Sequence, residues 1–247
     1  MISVIIPSYN RNDSLRECVV SLRKNSHYDS NEIIILHPES DAGVPRIAAE
    51  FGCRAMVDGS RDASGKRVLS LWGIINRGIE AAKNQYVCWL NDDCRAMPEW
   101  DRYALTYFSD PNVGLVVMRS KGIGGGADFG VIEALHGVPC ANYGVLDRTT
   151  GARFDERYSW FYGDADLPLQ LVVRYRKLVQ ATRENCIVHN HLVDKNRAEN
   201  EGDPRVQADR DRFVETWGGF TRLPAWPPFF GKIVRRNPVT RVLHRLA

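Results

Sequence analysis

The sequence has no apolar run approaching the roughly 18–20 residues that cross a bilayer. Met1 is followed at once by "ISVIIP", with neither a basic leader region nor a small-residue cleavage site. No membrane span and no signal peptide are therefore expected, and the expected location is cytoplasmic. The six cysteines (Cys18, Cys53, Cys88, Cys94, Cys140 and Cys186) form no CxxC pair. Several lie in apolar runs, so they read as reduced core residues rather than a disulfide framework. Excess charge is scarce too: a net charge of +3 is too small to argue for a nucleic-acid partner. There is no internal repeat and no low-complexity segment.

What is present fits one sizeable core. The chain has 247 residues, 44% of them hydrophobic and 26% charged, as in an ordinary soluble globular protein. The first half alternates strand and helix signals. "ISVIIP" is a continuous β-branched run, as expected of a strand buried on both faces. "NDSLRECVVSLRKN" places Leu15, Cys18, Val19 and Leu22 on one helical face, and Ser14 and Glu17 have the spacing of a capping box. "EIIIL", "CRAMV", "YVCWL" and "GLVVM" read as further strands. "VPRIAAEFG", Val68–Ala82 and "MPEWDRYALTYF" read as helices, Gly52 stopping the first and Pro98 opening the last. Strands joined by helical crossovers imply a mostly parallel sheet with helices on both faces. Such sheets bind ligands beyond the carboxyl ends of their strands, so the loops "PSYNRND", "HPESDAG" and "NDDCRAM" draw attention. From about residue 120 the pattern loosens: a glycine-rich stretch, short strands and turns, a helix from about Asp164 to Lys177, the strand-like "CIVHNHL", and a helix in "DPRVQADRDRFVETWGG" with Asp203 as cap.

Three constellations can carry chemistry. Asp92 and Asp93 stand side by side behind an apolar run. They are either capping carboxylates in a solvated turn or ligands for a hard cation bridging a diphosphate. Asp164 and Asp166 flank an alanine at the start of an apolar helix. There they either complement the helix dipole or supply a general base. His189 and His191 occupy alternate positions of a strand and face the same way. Either they are satisfied core histidines or one completes a metal shell, which would favour Mn²⁺ over Mg²⁺.

"ISVIIPSYNRNDSLRECVVSL", "INRGIEAAKNQYVCWLNDD", "FDERYSWFYGDADLPLQL" and "CIVHNH" resemble, in order, the motifs of inverting GT-A glycosyltransferases of family 2, over roughly residues 2 to 192. The resemblance implies a GT-A α/β fold and a metal-dependent inverting transfer from a nucleotide-sugar donor, UDP being the expected nucleotide. It implies that Pro7, Ser8, Tyr9, Asn10 and Arg11 form the first-strand loop against base and ribose. Asn76 joins the donor site, Asp92 lies near the donor's sugars, and Asp93 contacts the metal, Mn²⁺ or Mg²⁺. Asp164 becomes the catalytic base and Asp166 an acceptor contact. His189, favoured over His191 on its spacing from Asp164, becomes a metal ligand. Two positions depart from the family pattern. His37 stands where an aspartate usually reads the base, with Glu39 as the nearby substitute, and Gly163 replaces a glutamate.

Trp160, in "RYSWFYGD", is a candidate platform for an acceptor sugar, against the plainer reading of a core aromatic. "GIGGGA" formally fits a dinucleotide fingerprint but comes late in the chain and lacks the following acidic strand end. It reads instead as a loop near the acceptor side. The tail from residue 224 carries Lys232, Arg235, Arg236, Arg241 and Arg245 among apolar residues and no acidic one. It is either an arm packed on the protein or a peripheral contact with an anionic membrane at its inner face, which would suit a lipid-linked acceptor. The expected division is a donor half (1–119), an acceptor half (120–223) and this tail (224–247). A saccharide or lipid-linked acceptor in surface-polysaccharide assembly is the expected setting. A non-catalytic sugar-nucleotide or glycan-binding module and a nucleotidyltransferase are the rival readings.

Overall fold

A computed structural model describes residues 1–59, 68–123, 131, 133–135, 137–190 and 204–218. His191, Asp203, most of the glycine-rich stretch and the basic tail lie outside them. The chain runs β1 (Ile2–Pro7), α1 (Asn12–Asn25), β2 (Glu32–His37), α2 (Gly43–Glu50), β3 (Arg54–Val57), α3 (Leu71–Ala81) and β4 (Tyr86–Trp89). It continues through β5 (Cys94–Ala96), α4 (Trp100–Thr106), β6 (Val113–Ile123), β7 (Glu133–Leu135), β8 (Val138–Pro139) and β9 (Gly144–Asp147). The last elements are α5 (Gly163–Val173), β10 (Leu178–Asn190) and α6 (Arg205–Trp217).

One 8-stranded sheet, in the order β3-β2-β1-β4-β9-β6-β10-β5, organises the whole. β9 and β5 run against the others; β9 is an antiparallel insert between β4 and β6, and β5 edges β10. The remaining strands are parallel to one another, as crossover connections require. Both faces are covered. One core holds Ile5, Trp72, Trp89, Phe154, Leu167, Phe213 and Trp217, the other Ile2, Leu15, Val19, Trp100 and Val116. α3 lies so close on β1 that a Cβ at Gly78 would meet Ile5 Cγ2 at 2.5 Å.

Some local expectations change. No capping box forms: α1 starts at Asn12 with Arg11 at its cap and no side-chain cap bond. Ser14 therefore falls inside the first turn, and Glu17 instead pairs with Arg95 across the surface. α3 starts at Leu71, because Ser70 Oγ accepts from Gly73 N–H at 3.1 Å and sets the N-terminus there. Pro98 precedes the cap of α4, Glu99, whose φ is +64°. α5 stops at Val173, and "CIVHNH" is the end of a strand that begins at Leu178.

Candidate active site

The ends of β1, β2 and β4 bring the three expected loops into contact. Ser8 Oγ donates to Asp92 Oδ2 at 2.9 Å. Arg11 Nη1 stands 3.2 Å from Asp92 Oδ1 and 3.6 Å from Asp93 Oδ2, so one guanidinium bridges both carboxylates. The second loop joins through Asp41, which accepts from Asn10 N–H at 2.8 Å and holds that residue at φ +54°. Left-handed backbone at a non-glycine residue is strain retained by surrounding contacts, and here it turns the first loop across the sheet edge. Asp41 escaped sequence reasoning although it stands in "HPESDAG"; only its burial and its bond to Asn10 give it a role.

Asp92 and Asp93 are both buried. Burial, opposed by Arg11 and reinforced by the charge of Asp93, raises the Asp92 pKa to about 6. Across from them β5 and β10 pair with Cys94 opposite His189, and Asn190 N–H donates to Asp93 O at 3.0 Å. His189 Nε2 thus comes within 3.2 Å of Asp93 Oδ1. That buried oxygen accepts no hydrogen bond among the described residues. A buried acceptor without a donor beside an imidazole fits a divalent cation, which would satisfy the oxygen and relieve repulsion between the paired aspartates. Tyr143 closes the place: its hydroxyl accepts from Asn91 Nδ2 at 3.4 Å and its ring meets that of His189 edge-on at 5.6 Å.

The second centre is Asp164, at the N-terminus of α5. The preceding residue, Tyr162, is left-handed at φ +66° and caps the helix without a side-chain bond. Gly163 answers a packing demand. A Cβ there would lie 2.5–2.7 Å from Cε2, Cδ2 and Nε1 of Trp72, whose indole stacks on Phe154 at 4.7 Å. The ring fills the space that the expected glutamate side chain would leave by. Four residues on, Pro168 has no N–H for the carbonyl of Asp164, and that carbonyl accepts from Ala141 N–H at 2.7 Å instead. Segment 140–143 is fixed from below by Trp89 Nε1, which donates to Ala141 O at 3.1 Å. Burial raises the Asp164 pKa, partly offset by the Cys140 thiol and backbone N–H groups of its own turn. As a whole residue Asp164 is only partly buried.

Several expected contacts have internal partners. Asn76 donates from Nδ2 to Phe154 O and Glu156 Oε1, each at 2.9 Å, and accepts from Phe154 N–H at 3.1 Å. Its amide clamps the segment leading to α5. Asp166 is buried and accepts from Trp217 Nε1 at 2.7 Å and Gln170 Nε2 at 2.5 Å. It anchors α6. His37 is buried, with Nδ1 2.9 Å from Pro38 O, whereas Glu39 is exposed on the same loop. Pro7 and Tyr9 are half-buried on the first loop, and Trp160 is half-buried beside α6. The N–H groups of Ser159, Trp160 and Phe161 all donate to the buried Asp209, at 2.8, 2.9 and 3.2 Å.

The sequence model of Glycosyl transferase family 2 matches residues 3–131. The chain belongs to that family. EpsH of Bacillus subtilis (strain 168), which carries the name of a glycosyltransferase, is 30% identical over 99 residues, 40% of this chain and 28% of its own. The chain thus matches little more than a quarter of that relative's length. Among solved structures, the fold is similar to glucosyl-3-phosphoglycerate synthase from Mycobacterium tuberculosis in complex with Mg²⁺ and UDP. That match has a TM-score of 0.64 at 14% identity and covers 88% of this chain and 79% of that one. It is similar as well to the mannosyltransferase PcManGT from Pyrobaculum calidifontis in complex with GDP-Man and Mn²⁺. There the TM-score is 0.62 at 14% identity, over 99% of this chain and 69% of that one. The expected GT-A fold is thereby borne out; at such identities the likeness concerns the fold. No helix among the described residues is long and apolar enough to cross a membrane.

Proposed function

We propose that this chain is a metal-dependent inverting glycosyltransferase, moving a sugar from a nucleoside-diphosphate donor, taken as UDP, to an acceptor hydroxyl. One observation carries the reading. Segment 140–143 joins the two acidic centres, Ala141 bonding the backbone of Asp164 while Tyr143 closes over Asn91 and His189. Donor and base centres so tied are held in fixed relation, as displacement at one carbon requires.

In this reading the loop Pro7–Arg11 receives the nucleotide, with Glu39 at its rim and Asp92 held by Ser8 and Arg11 for the donor's sugars. Asp93 and His189 hold Mn²⁺ or Mg²⁺, which when bound supplies positive charge against the departing diphosphate. Asp164 removes the acceptor hydroxyl's proton, and its raised pKa makes it a stronger base than an ordinary aspartate. Attack from the face opposite the leaving diphosphate inverts the anomeric centre. Trp160, half-buried next to the Asp164 turn, offers the acceptor a flat apolar surface. The donor half (1–119) and acceptor half (120–223) are functional divisions of one fold, since β6 runs through their boundary. A saccharide or lipid-linked acceptor, and a membrane contact of the tail, rest on family analogy alone.

The test is a donor screen with Mn²⁺, reading the released product. A nucleoside diphosphate supports transfer, pyrophosphate means a nucleotidyltransferase, and neither means a binding module. Asp164→Asn is expected to keep donor binding and lose about 10²–10⁴ in rate; full activity in that variant overturns the base assignment.

A further inference from the structure

The cation site proposed above has a neighbour that the mechanism leaves unused. Cys94 opens β5 directly opposite His189 of β10, so both side chains leave the sheet on one face. The ligand atoms of Asp93, Cys94 and His189 all lie within 4.8 Å of one another. Asp93 Oδ1, a buried oxygen that accepts no hydrogen bond among the described residues, lies 3.2 Å from His189 Nε2. Two donors each about 2.1 Å from one ion stand about 3.0 Å apart at a right angle and about 3.4 Å apart at the tetrahedral angle. The observed separation falls between them. A sulfur about 2.3 Å from the same ion would stand about 3.6 Å from either partner in a tetrahedral shell. Bringing the Cys94 sulfur to that distance asks for a displacement on the order of 1 Å, within the reach of a side-chain rotation.

We propose that Cys94 is a third protein ligand at this site, and that the site binds Zn²⁺ or Co²⁺ through an Asp–Cys–His set. This rests on the cation-site reading above and extends it. Thiolate is a soft ligand that suits Zn²⁺ and Co²⁺ and adds nothing for Mg²⁺, which takes oxygen and dehydrates reluctantly. Mg²⁺ and Mn²⁺ would therefore be held by Asp93 and His189 alone, with the rest of the shell open to water and ligand. Zn²⁺ would be held by three side chains with one position left. On binding, the S–H bond of Cys94 breaks, a metal–sulfur bond forms, and the proton passes to solvent. The metal keeps its oxidation state. Tyr143 packs against His189 over the same place, shielding the sulfur from bulk water.

The experiment is a Co²⁺ titration of the purified protein without nucleotide, followed by optical absorption. The expected result is one equivalent bound, with tetrahedral visible bands and a near-ultraviolet sulfur-to-cobalt charge-transfer band. Cys94→Ser should lose the charge-transfer band, remain folded by circular dichroism, and still bind Mn²⁺ by electron paramagnetic resonance. Its preference for Zn²⁺ over Mn²⁺ should fall by at least the roughly 10–100-fold that even an outer-shell partner is worth. Cys94→Ala, with no hydroxyl to substitute, should behave alike, so a folding defect peculiar to one variant leaves the other informative. Absence of the charge-transfer band in the wild type, or its persistence in both variants, overturns the assignment. The two readings fail separately. Sugar transfer with Mn²⁺ but no sulfur band removes Cys94 and leaves the transferase, whereas a sulfur band without transfer does the reverse.

Discussion

Replacing Asp209 with alanine is expected to loosen the turn that delivers Asp164. Asp209 projects from α6 and is 1% exposed, and its carboxylate accepts three successive backbone N–H groups, those of Ser159, Trp160 and Phe161. A hydrogen bond to a charged group is worth about 1.5–3 kcal/mol net. Three would sum to more than 4 kcal/mol if all the donors stayed dry, but residues 159–161 are half-buried and water would take part of the load. Alanine is also the better helix former by about 0.7 kcal/mol. The expected net loss for Asp209→Ala is therefore about 3 kcal/mol, or about 6–12 °C in midpoint for a chain of this size. Asn is instructive: its single oxygen can replace Oδ1, which takes Ser159, or Oδ2, which takes the other two. Its NH₂ then opposes the remaining donors, so Asp209→Asn should recover about half of the loss at best. Urea unfolding at matched slopes measures both. An alanine variant within about 1 kcal/mol of the wild type would refute the view that α6 holds this turn in place.

Gly163→Ala should lose about 1–3 kcal/mol to overpacking against the Trp72 indole. Adding Trp72→Leu should recover part of that loss in a double-mutant cycle, and independent, additive losses would rule out the clash. Asp164→Asn should be more stable than the wild type at neutral pH. Burial raises the native pKa of Asp164 above its unfolded value, so the charged form penalises the native state. The gain appears as pH rises through the native pKa and vanishes below the unfolded one, which thermal melts across that window would show. By the same shift, the acid limb of the transfer rate should lie above the ordinary aspartate range. Asp93→Ala should abolish the metal dependence of donor binding, which calorimetry with and without Mn²⁺ reads directly.

The framework of the N-terminal half can be read from the sequence alone. Ile2–Pro7, Glu32–His37 and Tyr86–Trp89 are legible as buried strands because each is an unbroken apolar run bounded by polar turns. The parallel order then places their following loops at one edge, where Ser8, Arg11, Asp92 and Asp93 do meet. What surrounds them comes from packing between elements distant in sequence. β5 is three residues long and has no periodicity to read, yet it sets Cys94 opposite His189. Asn76 and Asp166 looked like ligand contacts because an isolated polar residue in an apolar helix has two explanations. Each has an internal partner far along the chain, Asn76 in Phe154 and Asp166 in Trp217. The same holds for Pro168, whose missing N–H frees a carbonyl for Ala141, and for Asp209 under the Ser159–Phe161 turn. A local pattern records which face of an element is buried. It carries no record of which distant donor meets which acceptor, because chain closure and packing settle those pairs.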